Sequence, residues 1–371
     1  MDNILNNTYR VPFLDLSVRD ATFKNELLQA VDRVLTHGRI LLGPEVEQFE
    51  TRIAELSQRK YAVGVNSGTD ALYFALRALE IGTGDEVITT SLSWIATANA
   101  VTLCGARPVF VDVTEDLTIN AELIEAAITP RTKAILPVHF TGRLCDITRI
   151  AQIADDHGLY LIEDAAPSFG ASYNGSKAGS FGHLGAFSMN PMKLLNAYGE
   201  AGAVVTDDEE LRDRLVSLRY AGTINKEDCH FPSPNGRIDT IQAAMMLVGL
   251  GRLDDKVSRR RAIASFYDEA LGEAVNCPKE PEGYFNVYYT YTIIAERRDV
   301  LKQHLEAKGI ETKVQHPILM PYHTAYKNLP KPNIPVAEDL VKRILCIPAH
   351  EDLGMDEAEY VAASIREFYG A

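Results

Sequence analysis

The sequence predicts an α/β protein: a large unit on a mostly parallel seven-stranded sheet with helices on both faces, then a smaller C-terminal α+β unit. Three observations carry this. Short runs rich in Val, Ile and aromatic residues alternate with helical stretches between residues 61 and 206. These runs are apolar at nearly every position, as strands buried on both faces require. Beyond about residue 250 the texture changes to Tyr-rich, Pro-rich and charged-helical segments, which suggests a second unit.

Taken in order, YAVGVN at 61–66 reads as the first strand and stops at Ser-Gly-Thr; DALYFALRALE at 70–80 follows as an amphipathic helix. Further strands are EVITT at 86–90, ARPVFVDV at 106–113, KAILPVHF at 133–140 and LYLIED at 159–164, with helices expected at 118–128 and 147–157. Two more, at 183–189 and 202–206, lie too close together for a helical crossover, so antiparallel pairing is plausible there. Residues 239–256 read as one long helix with an apolar face, followed by a basic helical stretch. We divide the chain near residue 250, with 1–250 as the large domain and 251–371 as the small one. The latter is expected to hold a strand at 288–295, a helix at 298–308, a strand at 310–315 and a last helix near 355–369, with 317–335 and its five prolines an ordered loop.

Composition bounds the function. The 371 residues are 46% apolar and 24% charged, which excludes a disordered or collagen-like chain. Lys and Arg number 37 against 51 Asp and Glu, a net charge of −14. Such a surface repels a phosphate backbone, so no nucleic-acid partner is expected, although one locally positive pocket can still hold a small anion. No apolar run reaches the roughly 20 residues of a membrane helix, so no membrane association is expected. The stretch MDNILNNTYRVPFLDL has neither the basic start nor the apolar core of a signal peptide. Five scattered cysteines (Cys104, Cys145, Cys229, Cys277, Cys346) lack metal or redox spacing. The chain therefore reads as cytoplasmic, with reduced thiols and no metal.

Ligands of an open parallel sheet bind beyond the carboxyl ends of its strands. Asn66-Ser67-Gly68-Thr69-Asp70 follows the first strand and precedes a helix. It reads either as a capped helix start or as a phosphate-binding turn. Asp164 ends the strand LYLIED; it is either a structural cap or ion pair, or a carboxylate for a protonated ring nitrogen. Lys193 lies in a loop after a strand, between Met192 and Leu194. A lone lysine is ordinarily a surface residue, but a partly desolvated one becomes a nucleophilic amine. Phosphate turn, strand-end Asp and loop Lys, in this order, are the parts of a pyridoxal-phosphate site.

With these residues in place, the chain resembles the DegT/DnrJ/EryC1/StrS family, nucleotide-sugar aminotransferases of fold type I. The resemblance is carried by GRILLGPEVEQFE at 38–50, NSGTDAL at 66–72, GDEVITTSLSWIATANAV at 84–101, PRTKAILPVHFTG at 130–142, IEDAAPSFGA at 162–171, GAFSMNPMK at 185–193, YGEAGAVVTDD at 198–208 and NGRIDTIQAA at 235–244. HPI at 316–318 and IPVAEDL at 334–340 match more loosely.

The resemblance implies that Lys193 bonds covalently to pyridoxal 5′-phosphate, and that Asp164 keeps the pyridine nitrogen protonated. It also implies that Gly68, Thr69 and Ser188 hold the phosphate, that Trp94 stacks on the ring, and that Asn235 reaches the phosphate of a neighbouring subunit. A homodimer with shared sites follows. The implied reaction moves an amino group from L-glutamate to a keto-sugar nucleotide. The segment Asn235-Gly236-Arg237-Ile238-Asp239 resembles members that aminate carbon 3. A 4-keto sugar nucleotide or a cyclitol is the alternative acceptor, and a non-catalytic regulator on the same fold is a more distant one. Arg237, His316 and His323 are candidate substrate residues, the first two as cations for the pyrophosphate; Arg237 equally reads as an ion-pair partner of Asp239. Two departures stand out: Pro167 replaces the usual Gln, leaving Asn190 or a water to meet the cofactor's phenolic oxygen, and Phe169 replaces a common His.

Overall fold

The computed structural model describes residues 9–225 and 227–370. Residues 1–8, the start of the stretch read for a signal peptide, lie outside the described residues. Two helices precede the sheet: α1, Ala21–His37, and α2, Pro44–Leu56. Asp20 caps α1 by accepting from the N–H groups of Thr22 and Phe23, and Gly38 closes it at φ 71°, a left-handed conformation that glycine adopts without strain.

The seven strands of the sheet are β1, Tyr61–Val65; β2, Glu86–Thr90; β3, Arg107–Val111; β4, Thr132–Leu136; β5, Tyr160–Asp164; β6, Leu184–Ser188; and β7, Gly202–Thr206. Their spatial order is β1-β7-β6-β5-β4-β2-β3. Every pairing is parallel except the two made by β7, which runs antiparallel to β1 and β6. The antiparallel pairing expected for 183–189 and 202–206 is therefore present.

Adjacent residues of one strand point into different cores, the period of 2 that a doubly covered sheet demands. Val63, Val87, Ile162 and Val204 face α3 (Gly68–Ala78), α4 (Ala96–Leu103) and, beyond β7, the helix Glu209–Arg219, through Phe74, Leu76, Val101 and Leu215. Ala62, Ile88, Leu161 and Val205 face Phe49 and Ile53 of α2 and Ile150 and Ile153 of the helix Ile147–Asp156. Fully burying each large side chain contributes roughly 1.5–3 kcal/mol.

Three expectations are corrected. The helix expected over 118–128 is only a 3-10 turn, Ala121–Leu123, and one turn of α-helix, Ile124–Ala127. Asn120 caps it late, and Pro130 disfavours helix in the residue before it. The long helix at 239–256 is two, Thr240–Leu250 and Leu253–Leu271. Gly249 and Gly251 lower helix propensity at the break, and Arg252 is pulled aside to Asp20 (2.7 Å) and Glu26 (3.4 Å). The strand at 310–315 is reduced to single bridges, Val11↔Ile310 and Lys313↔Cys346. Between them the Glu311 side chain accepts the Phe13 N–H at 2.9 Å, so part of the expected ladder runs through a side chain.

The C-terminal residues form a separate core in which Tyr267, Leu271, Tyr291, Leu301, Leu345 and Ile365 pack together, joined by Val11 from the N-terminal segment. Strand β8, Tyr291–Ile294, pairs antiparallel with β9, Ile344–Ile347. Both buried phenols are satisfied: Tyr267 donates to the Pro348 carbonyl (2.8 Å) and Tyr291 to Asp268 (2.6 Å). The segment 317–335 is an ordered loop with two 3-10 turns.

Candidate active site

The carboxyl ends of β1, β2, β5 and β6 converge with the C-terminal unit on a cavity of about 910 Å³. Gly68, Thr69, Trp94, Asp164, Ser188, Lys193, His316 and His323 all line it. Asn235 and Arg237 do not.

Asp164 is the last residue of β5 and is 3% exposed. Thr97, in the first turn of α4, donates its hydroxyl to Asp164 Oδ2 at 2.7 Å, and the Ala166 N–H reaches Oδ1 at 3.2 Å. Burial nevertheless pushes the Asp164 pKa up, against those two bonds and the weaker pull of Lys193 and His139. A carboxylate in this setting is short of a cation. Its neighbour Glu163 points the other way, buried against His139 (2.9 Å) and accepting the N–H groups of Gly179, Phe181 and Gly182 at 2.7–2.8 Å. Glu163 is thereby fully paired, and the strand end that presents Asp164 is anchored; removing one partner of such a pair costs about 3–5 kcal/mol.

Lys193 sits in a loop closed by its own N–H bond to Asn190 (2.8 Å). Its Nζ lies 4.0 Å from the centroid of Tyr289. The backbone at Tyr289 passes over Gly142, where an added Cβ would stand 2.6 Å from the Tyr289 nitrogen, so only glycine permits the approach. At the other end, Ser67 caps α3 by accepting the Asp70 N–H at 3.0 Å. The first N–H groups of a helix have no intrahelical acceptor, which leaves those of Gly68 and Thr69 to meet an anion. A Cβ on Gly68 would stand 2.8 Å from Ser188 Oγ. The cradle thus exists because residue 68 has no side chain. We predict that Gly68→Ala weakens retention of a phosphorylated cofactor by on the order of tenfold, read by equilibrium dialysis; unchanged retention would remove the cradle from the site.

Three corrections concern the substrate residues and the departures. His316 lines the cavity against Trp94 and Phe140, but burial, with Lys193 and His323 adding to it, drives its pKa to about 4. It is neutral at pH 7 and is not the cation expected for a pyrophosphate. Arg237 makes no ion pair with Asp239 among the described residues; its Nε donates to Asn235 Oδ1 (2.7 Å) and its guanidinium lies 4.5 Å over Tyr220. Both residues lie on a segment bridged to the end of β1, outside this chain's own cavity. The amide of Asn190 is engaged at both ends, donating to Glu200 (2.7 Å) and accepting from the Met192 N–H (3.1 Å), so it is tied to other groups rather than ready to replace a Gln. Phe169 is core, packed edge-on to Phe187.

Trp94 is 61% exposed in the single chain, so it is no core residue. Two contributors escaped sequence reasoning. Thr97 lies within the motif that contains Trp94, and a hydroxyl one helical turn beyond it was the available signal. Tyr289 had none, because its contact with Lys193 spans 96 positions of chain.

Taken together, the cradle can hold a phosphate, Asp164 a protonated aromatic nitrogen, and Lys193 a carbonyl carbon. The donor set therefore fits pyridoxal 5′-phosphate. Comparison with known proteins agrees. The model of the DegT/DnrJ/EryC1/StrS aminotransferase family matches residues 21–366. The chain is 41% identical to the dTDP-3-amino-3,4,6-trideoxy-alpha-D-glucose transaminase of Streptomyces venezuelae, over 97% of each chain. It is 39% identical to a pleiotropic regulatory protein of Geobacillus stearothermophilus, over 97% of this chain and 98% of the relative. The crystal structure of S. venezuelae DesV in complex with a ketimine intermediate superposes with a TM-score of 0.95 at 41% identity, covering 98% of this chain and all of that one. No helix among the described residues is long and apolar enough to cross a membrane. The chain belongs to the DegT/DnrJ/EryC1/StrS aminotransferase family, a pyridoxal-phosphate-dependent family of nucleotide-sugar transaminases.

Proposed function

We propose that this chain transfers the amino group of L-glutamate to a keto-sugar nucleotide, giving an amino-sugar nucleotide and 2-oxoglutarate, with a 3-keto sugar as the favoured acceptor. The observation that carries the reading is a buried carboxylate short of a cation, a lysine amine and a side-chain-free anion cradle in one cavity. The 3-amino product named for the S. venezuelae relative supports carbon 3, as does the segment around Arg237.

When bound, pyridoxal phosphate supplies the electron sink and carries the amino group between the two substrates. The chain does the rest. Gly68, Thr69 and Ser188 fix the phosphate; Asp164, aimed by Thr97, holds the proton on the ring nitrogen. Trp94 covers one side of the cavity. The Lys193 amine takes the proton from the donor's α-carbon and returns one to the acceptor's carbon, and being anchored in the cavity it acts at high effective concentration. Neutral His316, ringed by Trp94 and Phe140, offers the sugar a hydrogen-bonding edge without a charge.

Asn235 and Arg237 serve the cavity of a second copy in this reading, which makes the working unit a homodimer. Their place outside their own chain's cavity supports it. The Geobacillus relative favours a second reading, a regulator on the same fold; the retained Lys193 and Asp164 favour catalysis. Borohydride treatment of the purified protein, followed by peptide mass analysis, is expected to find a pyridoxyl group on the peptide that carries Lys193. Its absence there would sink the proposal.

A further inference from the structure

The cavity does not end at the residues above. Its wall takes in a further arm of residues, Phe13 and Leu14 from the N-terminal segment and Thr312, Lys313, Ile347 and His350 from the C-terminal unit. Two polar side chains there are more than nine-tenths buried and unpartnered. His350 is 5% exposed with neither ring nitrogen bonded, and Thr312 is 7% exposed with its hydroxyl unbonded. A buried unpaired donor costs roughly 1–3 kcal/mol, so two lining one cavity point to a missing partner. Charge says what kind. The Lys313 ammonium lies 4.8 Å over the Phe13 ring and makes no ion pair among the described residues. Lys302 also lines the cavity, held only loosely by Glu306 at 3.7 Å. Arg260 nearby is already committed to Glu351 and to the carbonyls of Tyr288 and Tyr289.

We infer that this arm is the subsite for the distal carboxylate of the amino donor, bound by Lys313, Thr312 and His350. The inference rests on the transaminase reading and adds to it a place for a dicarboxylate. Size supports a small acid over a nucleotide phosphate. Ile347 and Ala349 of this wall are buried, whereas Trp94 and Ile318 of the same cavity are exposed, which leaves a nucleotide the exposed part. Reach supports it too. The same cavity is lined by Lys193, with its amine 4.0 Å from the Tyr289 ring centroid, so an acid anchored on this wall shares the cavity with the reacting lysine. One ammonium and two hydrogen-bonding groups match one carboxylate's acceptors.

The test uses the holoenzyme and two unreactive acids of similar length, glutarate and butyrate, with Trp94, the only tryptophan, as fluorescent reporter. The unsubstituted protein is expected to bind glutarate on the order of tenfold or more tightly than butyrate. Lys313→Met and the isosteric Thr312→Val are each expected to bring that ratio close to one. A preference that survives both substitutions, or no preference in the unsubstituted protein, overturns the inference. If a pyridoxyl group is found on Lys193 while the preference is absent, only this subsite falls and the transaminase reading stands. If Lys193 stays unlabelled, the transaminase reading falls whatever glutarate does.

Discussion

Lys193→Ala is expected to lower transamination by on the order of 10⁴-fold or more while leaving the fold intact. The size follows from losing two roles at once. The variant has no amine to bond the cofactor's carbonyl carbon, and none to carry the proton in either half-reaction. The fold should survive because Lys193 makes no ion pair among the described residues; its amine rests only on the Tyr289 ring, a contact of about 0.5–1 kcal/mol. Thermal denaturation should therefore shift by only a few degrees. Glutamate-dependent turnover within tenfold of the parent would remove the assignment. The same variant tests the shared site. Mixed with Asn235→Ala chains, it forms hybrid dimers in which one of the two cavities has both residues. Random re-pairing should restore about a quarter of the parent activity; no recovery from the mixture would argue against Asn235 acting across the interface.

Asp164→Asn is expected to act in opposite directions on catalysis and on stability. Asn keeps the shape but cannot hold a proton on the ring nitrogen, so turnover should fall by on the order of 10²–10³-fold. The cofactor-free protein should gain stability at pH 7, by about 1–2 kcal/mol, because a buried charge without a cation is removed. The sign follows from the raised pKa. An acid whose folded pKa lies above its unfolded one stabilises the fold at low pH, and that contribution is lost as pH rises through the folded value. At neutral pH the parent therefore carries the penalty, and the variant's advantage should shrink on acidification. Denaturant titrations of both cofactor-free proteins at pH 4 and pH 7 check this. A variant less stable than the parent at pH 7 would mean that Asp164 already has a cationic partner in the empty site.

Much of the fold was legible in the chain. All seven strands of the large sheet fall on their apolar runs, most of which stop at a polar or turn-forming residue, because those local signals coincide with burial on both faces. The antiparallel β7 could be read from a connection too short to cross over. What failed was decided at a distance. The 239–256 helix breaks where Arg252 meets the carboxylates of the α1 cap Asp20 and of Glu26 in α1, more than two hundred positions away, and the 310–315 strand is undone by the Glu311 side chain reaching Phe13. The charge of His316 was likewise invisible, since a histidine's protonation depends on what buries it rather than on its neighbours in sequence.

The sequence alone determined which residue types stand at the strand ends: a glycine where an anion must approach backbone, a carboxylate, and a lysine in a loop. Only the tertiary structure decided that Thr97 aims the carboxylate, that Tyr289 supports the lysine, and that Thr312, Lys313 and His350 line one cavity. The reason is that strand and turn identity is written in contiguous side-chain pattern, whereas desolvation and pairing arise between segments that only folding brings within a few ångströms.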